Sequence, residues 1–444
     1  MHILVFLVLL LLAAPVAPAS AVQVQEIRSP GGLVAWFVHD PTIPVVAVDI
    51  SFAGCAIADP AGKEGLANMT TELLTEGAGP YDAQAFARLV EDNSIDLNMS
   101  AGTDVIRASF HAPAGKAAEA FRLLAIALSE PRFEPNEIER VRQQLLNGLN
   151  RAERDPRTLA TRAWYAAAYP EHPYGRSSRG TTKSIAALDR DDLVAFAKTR
   201  FARDGLKIAV VGDIEPAAVA RLIDETFGRL PEKSAPVDAK TMPPLSAGDV
   251  VVIERPVPQS VVFFGQPGIA RGNSEFMAAY VLNQILGGGS LGSRLMTEIR
   301  ENRGLTYGIY TYLSTPKRSG LWLGSVSTDN RTAAEVIGLV RKAWQKLKDE
   351  GVTAGELDDA KRYLTGSYAR NFATSRGIAG QLVVWQEEDM GIDYFQRRNG
   401  LVAAVTLEQV NRLAARLVAP EQLMFVIVGR PQGVTPTRPA PPPG

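Results

Sequence analysis

An arginine and a tyrosine seven positions apart, Arg300 and Tyr307, close the stretch Leu286-Gly-Gly-Gly-Ser-Leu-Gly-Ser-Arg-Leu-Met-Thr-Glu-Ile-Arg-Glu-Asn-Arg-Gly-Leu-Thr-Tyr-Gly308. Arginine carries several N–H donors in a planar fork, and tyrosine carries one O–H. Aimed at a peptide carbonyl, such donors can hold it and stabilise negative charge developing on its oxygen. The plainer reading is a solvated arginine favoured by a helix C-terminus beside a half-buried strand tyrosine. Other chemistries find less support. The chain has four histidines, His2, His39, His111 and His172, and no two stand within four positions of each other. A zinc helix needs ligands at i and i+4 on one face, and neither H-E-x-x-H nor H-x-x-E-H occurs. Cys55 is the only cysteine; it lies in an apolar stretch and reads as a buried structural thiol. Gly287–Gly292 is glycine-rich, but it lacks the Gly-Lys-Ser/Thr ending of a phosphate loop and follows a helix, so nucleotide binding is not expected.

The elements that must position Arg300 and Tyr307 repeat along the chain. Alternating β-rich and helical patterns predict a strand over 45–52, helices over 63–76 and 82–92, and strands over 95–101 and 105–111. Helices over 114–128 and 134–155 follow, and a buried strand over 206–212 closes the first half with a helix after it. In the second half Val261-Val-Phe-Phe answers Val45-Val-Ala-Val, and Val426-Ile-Val-Gly answers Val210-Val-Gly, at offsets of 216 and 217 residues. Helices over 273–286, 331–350 and 355–371 fill the interval. An internal duplication explains the agreement. Residues 231–248, rich in proline, form a linker. The expected fold class is α+β, with two similar domains over 22–230 and 249–432. Each is a largely antiparallel sheet with helices packed on it, and the two are arranged as a clam shell around a cavity. The Pro-rich tail, 433–444, is expected to be disordered. Arg300 should fall near the end of a helix stopping at Gly304, with Tyr307 on the next strand, a corner able to bring both to one wall.

Here the motifs become specific. Ser293, Arg294, Leu295, Ile299, Arg300, Glu301, Gly304, Leu305 and Tyr307 all match the pattern S-R-L-x-x-x-[IL]-R-[EQ]-x-x-G-L-x-Y. With His172-Pro-Tyr-Gly175 and Val210-Val-Gly212, they resemble the pitrilysin/insulinase-like family of inverted-zincin metallopeptidases. The chain is most similar to the short, two-domain processing-peptidase-like branch, over roughly residues 25–430. The resemblance aligns the stretch from Gly65 with the family's G-x-x-H-x-x-E-H helix. Asn68, Thr71 and Glu72 occupy the metal and general-base positions there, and the region Glu139–Asn147 lacks the third ligand's glutamate. The family then implies a zinc-free subunit of a heterodimer. Such a subunit holds no cofactor itself and supplies Arg300 and Tyr307 to a peptide at the zinc site of a homologous partner. It further implies that Gly287, Gly288, Gly289 and Ser290 could help admit substrate. The alternative is an inert peptide-binding or scaffold protein of the same fold. His172 is expected to structure its loop.

Composition sets the remaining limits. A chain of 444 residues with 46% hydrophobic content exceeds one core and divides into domains. A formal charge of −1 with both signs interleaved gives no reason to expect nucleic acid or an anionic membrane as partner. The apolar run from Ile3 to Ala14, followed by Ala19-Ser20-Ala21, reads as a secretory signal peptide over 1–21. A periplasmic or secreted location follows as an expectation.

Overall fold

In the computed structural model, which describes residues 23–289 and 291–441, the chain forms two helix-covered sheets. The signal-peptide reading lies outside the described residues. The first sheet contains β1 (Gln25–Arg28), β2 (Val34–His39), β3 (Val45–Ala53), β4 (Asp96–Ala101), β5 (Val105–Pro113) and β6 (Lys207–Gly212), in the order β1-β2-β6-β3-β5-β4. The second contains β7 (Val250–Glu254), β8 (Gln259–Pro267), β9 (Ile309–Ser314), β10 (Leu321–Asp329) and β11 (Met424–Gly429), in the order β7-β11-β8-β10-β9. Each has a single parallel pairing among the described strands, β2 with β6 and β7 with β11. The α+β, largely antiparallel expectation therefore holds, and β2-β6-β3-β5-β4 repeats as β7-β11-β8-β10-β9.

The register corrects one detail of the repeat. Val48 lies opposite Val210, and Val262 lies opposite Ile427. Equivalent positions on β3 and β8 are thus 214 residues apart, not 216. A slip of two residues keeps every side chain on its own face, so the apolar alternation alone could not detect it.

The two halves are locked by exchanged helices. One face of each sheet packs on helices of its own half, giving two cores, one around Val48, Phe52 and Phe121 and one around Phe264, Trp322 and Trp344. The opposite faces are covered crosswise. The helix α3 (Pro156–Ala168) follows α1 (Leu66–Leu73) and α2 (Pro135–Ala152), and α4 (Phe276–Gly287) precedes α5 (Ser375–Glu387). From the first half, α3 brings Ala163, Trp164 and Ala167 onto Phe263, Leu323 and Val426 of the second sheet. From the second half, α5 brings Ile378, Leu382 and Trp385 onto Trp36, Ala47 and Val211 of the first. The linker packs along this junction: Met242 N–H donates to the Arg318 carbonyl (3.0 Å) and Leu245 N–H to the Ala168 carbonyl (2.8 Å). The clam-shell halves are therefore packed on each other, with a large cavity between residues of the two. Thr437 N–H donates to the Val250 carbonyl (2.8 Å) and Val250 N–H to Thr437 Oγ1 (2.9 Å), so the tail runs along β7.

A buried charge cluster crosses the junction. Arg107 on β5 donates to Glu387 Oε2 on α5 at 2.7 Å. Asp49 on β3 faces the same helix, and its Oδ1 is buried with no hydrogen-bond partner among the described residues. Burial pushes the Asp49 carboxyl up from 3.8 to about 6; Arg107 opposes the shift and Glu387 adds to it. The folded state therefore binds a proton that the unfolded chain releases near pH 4. This contribution to stability is greatest below about pH 4 and is lost as pH rises towards 6. Asp49→Asn is expected to flatten the fall in melting temperature between pH 4 and pH 6. Parallel profiles for the two proteins would refute this origin.

Candidate functional site

Arg300 lies on a π-helical turn, Met296–Glu301. Asn302 N–H reaches back to the Thr297 carbonyl (2.9 Å), Gly304 N–H to Arg300 (2.9 Å) and Leu305 N–H to Ile299 (3.0 Å). Gly304 closes the turn at φ +62°, a left-handed conformation that glycine adopts without a Cβ penalty. Buried Met296 and Ile299 fix the inner face, so Arg300 is carried on the outer one. Wide helical turns of this kind concentrate at functional sites because they re-aim one side chain.

Tyr307 is not on a strand, as the pattern suggested, but in the bend two residues before β9. The neighbouring Thr306 pins that bend, donating to the Ser327 carbonyl (2.7 Å) and accepting from Gly308 N–H (3.1 Å). The Tyr307 side chain is left 92% exposed. Its ring lies beneath the Arg300 guanidinium, 5.6 Å from centroid to Cζ, a cation–π distance. The structure thus brings the two residues together on an open corner. Among the described residues Arg300 makes no ion pair. A half-buried packing tyrosine would not look like this.

The rest of the motif is structural. Arg294 grips Glu356 with two hydrogen bonds (2.6 and 2.9 Å) and also reaches the Gly351 carbonyl (2.8 Å). Burial alone would raise the Glu356 carboxyl, but Arg294 and the Thr353 N–H outweigh it and hold it at about 2. The glycines end α4. A Cβ on Gly287 would stand 2.7 Å from Thr311 Oγ1, and one on Gly288 would stand 2.5 Å from Gln284 Oε1, so close packing requires both. Gly289 has φ +86° and open space around it. Ser290 lies outside the described residues.

The stretch from Gly65 forms α1, entered through Gly65 at φ +89°. Buried Asp59 caps it, accepting from Gly65 N–H (2.9 Å) and Ala67 N–H (3.1 Å). Thr71 is buried and returns its hydroxyl to the Ala67 and Asn68 carbonyls. Glu72 points outward, and partial burial followed by Glu76 raises its carboxyl. On α2, Glu139 is tied to Gln143 and Arg142. Among the described residues no group of three His, Cys, Asp or Glu side chains could hold a metal ion. His172 is buried, accepting from Tyr174 N–H at Nδ1 (3.1 Å) with Nε2 on the Lys240 carbonyl (2.9 Å), which structures its loop. Cys55 is fully buried, and burial raises its thiol.

A cavity of about 1260 Å³ opens between residues of the two halves. It is walled by α3, the loop 174–181, the end of β9 at Ser314 and tail residues Ala440 and Pro441. Arg300 and Tyr307 are not among its walls. They stand at the opposite end of β9.

Residues 34–182 match the family profile described as insulinase, peptidase family M16, and residues 187–364 match the peptidase M16 inactive domain. The chain belongs to peptidase family M16. A relative in Helicobacter pylori, named non-peptidase homolog YmxG, is 28% identical over 95% of this chain and 98% of that protein. An uncharacterized zinc protease of Mycobacterium leprae is 26% identical over 88% of each chain. The crystal structure of a peptidase M16 inactive domain from Pseudomonas fluorescens matches with a TM-score of 0.85 at 28% identity, covering 94% of this chain and all of that one. A chain of complex III from Candida albicans shares the fold at a TM-score of 0.75 and 15% identity, covering 91% of this M16 chain and 96% of its own.

Proposed function

We propose that this M16 chain is the zinc-free, substrate-holding subunit of a heterodimeric metallopeptidase. The observation that carries the reading is the Arg300–Tyr307 pair, assembled on an exposed corner in a chain whose zinc-helix positions hold Asn68, Thr71 and Glu72. Arg300 offers a fork of donors and Tyr307 a phenolic O–H to successive peptide carbonyls. A zinc-bearing M16 subunit would supply the metal-bound water. The pair orients the scissile bond and stabilises the oxyanion. The relative named as a non-peptidase supports the absence of a complete site in this chain. A scaffold role is the second reading, favoured by that same relative's name and weakened by the exposed pair, which a purely structural protein has no need to keep.

The test mixes this chain with the M16 chain of the same organism that retains His-x-x-Glu-His, using internally quenched peptides. Cleavage only by the mixture, abolished by a chelator, is expected. No gain on mixing would leave the scaffold reading. We also infer export: the apolar segment ending at Ala19-Ser20-Ala21 predicts a mature N-terminus at Val22. An intact Met1 on the protein recovered from cells would overturn that inference.

A further inference from the structure

We infer that the cavity between the halves recognises acidic side chains of an extended peptide lying along β9, about six to eight residues from the bond held by Arg300 and Tyr307. The inference rests on the reading of that pair as a carbonyl clamp. It joins three observations that the clamp alone does not require.

The first is an available edge. β9 ends the order of the second sheet and pairs only with β10 among the described strands. An extended chain can add to such an edge through its backbone. The second is alignment. Tyr307 precedes the start of β9, and Ser314 at its end lies on the cavity wall. Seven residues at about 3.3 Å each separate the two sites by about 23 Å, and a paired peptide advances by the same rise. Tyr310 and Tyr312 stand exposed and stacked between them, ring centroids 6.4 Å apart, and the Arg157 guanidinium donates to the Tyr310 hydroxyl at 2.8 Å. The clamp and the cavity are thus joined by one continuous surface.

The third is charge. Among the described residues the cavity wall carries five arginines, Arg157, Arg176 and Arg179 among them, against two glutamates, Glu64 and Glu153. The chain as a whole has a net charge of −1, so this concentration is local and not a reflection of composition. Arg176 is partly engaged, 3.8 Å from Glu64 and donating to the Asp59 carbonyl. Arg157 and Arg179 are exposed side chains. A concave cationic wall focuses field on an anionic partner, and arginine forks suit carboxylates. Ala440 and Pro441 of the tail lie on the same wall without bringing a carboxylate side chain to it.

The experiment uses the full chain and fluorescence anisotropy with labelled peptides about fourteen residues long, enough to span both sites. A neutral host sequence carries three glutamates at its N-terminal end, three at its C-terminal end, or glutamines in their place. One glutamate placement is expected to bind about tenfold more tightly than the glutamine peptide. The double variant Arg157→Gln with Arg179→Gln should bring that ratio close to one and leave the glutamine peptide unchanged. Arg300→Ala should weaken acidic and neutral peptides by the same factor. Equal binding of glutamate and glutamine peptides, a preference that survives the double variant, or no binding of any peptide would overturn the inference. A charge preference that persists while Arg300→Ala has no effect would support the cavity and sink the clamp.

Discussion

Peptide hydrolysis by this chain paired with a zinc-bearing subunit is expected to fall about 10- to 100-fold when Arg300 becomes alanine, and by a similar factor for Tyr307→Phe. The size follows from a charge-assisted hydrogen bond worth about 1.5–3 kcal/mol, expressed in the transition state. The structure makes these substitutions clean. Tyr307 is almost fully exposed, and the recorded contact of Arg300 is with the Tyr307 ring. Neither change opens a cavity, so melting temperature and subunit association should be unaffected. The loss should appear mainly in kcat if the pair acts on the oxyanion, and in KM if it only holds substrate. Arg300→Lys keeps the charge but loses the fork, and it should recover only part of the rate. Full turnover in both Arg300→Ala and Tyr307→Phe would remove the pair from the mechanism.

Trp164→Ala should cost about 3–5 kcal/mol of stability, the usual range for deleting a large aromatic from a packed core. Trp164 belongs to the first half of the sequence, yet it is fully buried against the second sheet. Its ring meets Phe263 at 5.9 Å, and its indole N–H donates to the Met424 carbonyl at 3.3 Å. Gly265 makes room for it, since a Cβ there would stand 2.8 Å from the indole. Urea unfolding is the measurement. Because the residue holds the halves together, the variant should also become sensitive to proteolysis within 231–248. A loss below about 1 kcal/mol would mean that the crosswise helix is not what locks the halves.

Much of the fold could be read in advance, since apolar alternation and helical spacing are local and survive duplication. β3, β5, β6, β8 and β11 lie where the pattern predicts them, with shifts of a few residues at their ends. α3 and α5 were not anticipated. α3 is an alanine-rich helix with polar residues interspersed, and α5 carries apolar and small residues on several sides. Such segments do not announce that they will cover the sheet of the other half. The π-helical turn was also invisible, because one extra residue per turn leaves no mark on composition.

By itself the sequence determined the duplication, the resemblance to the family and the absence of an H-x-x-E-H motif, and it singled out Arg300 and Tyr307 as candidates. Each depends on residue identity and spacing along the chain. Only the tertiary structure decided that Arg300 sits over the Tyr307 ring, that helices are exchanged between halves and that arginines from α3, the 174–181 loop and the end of β7 share one cavity. These facts join residues far apart in sequence, and their proximity is set by which apolar faces bury each other.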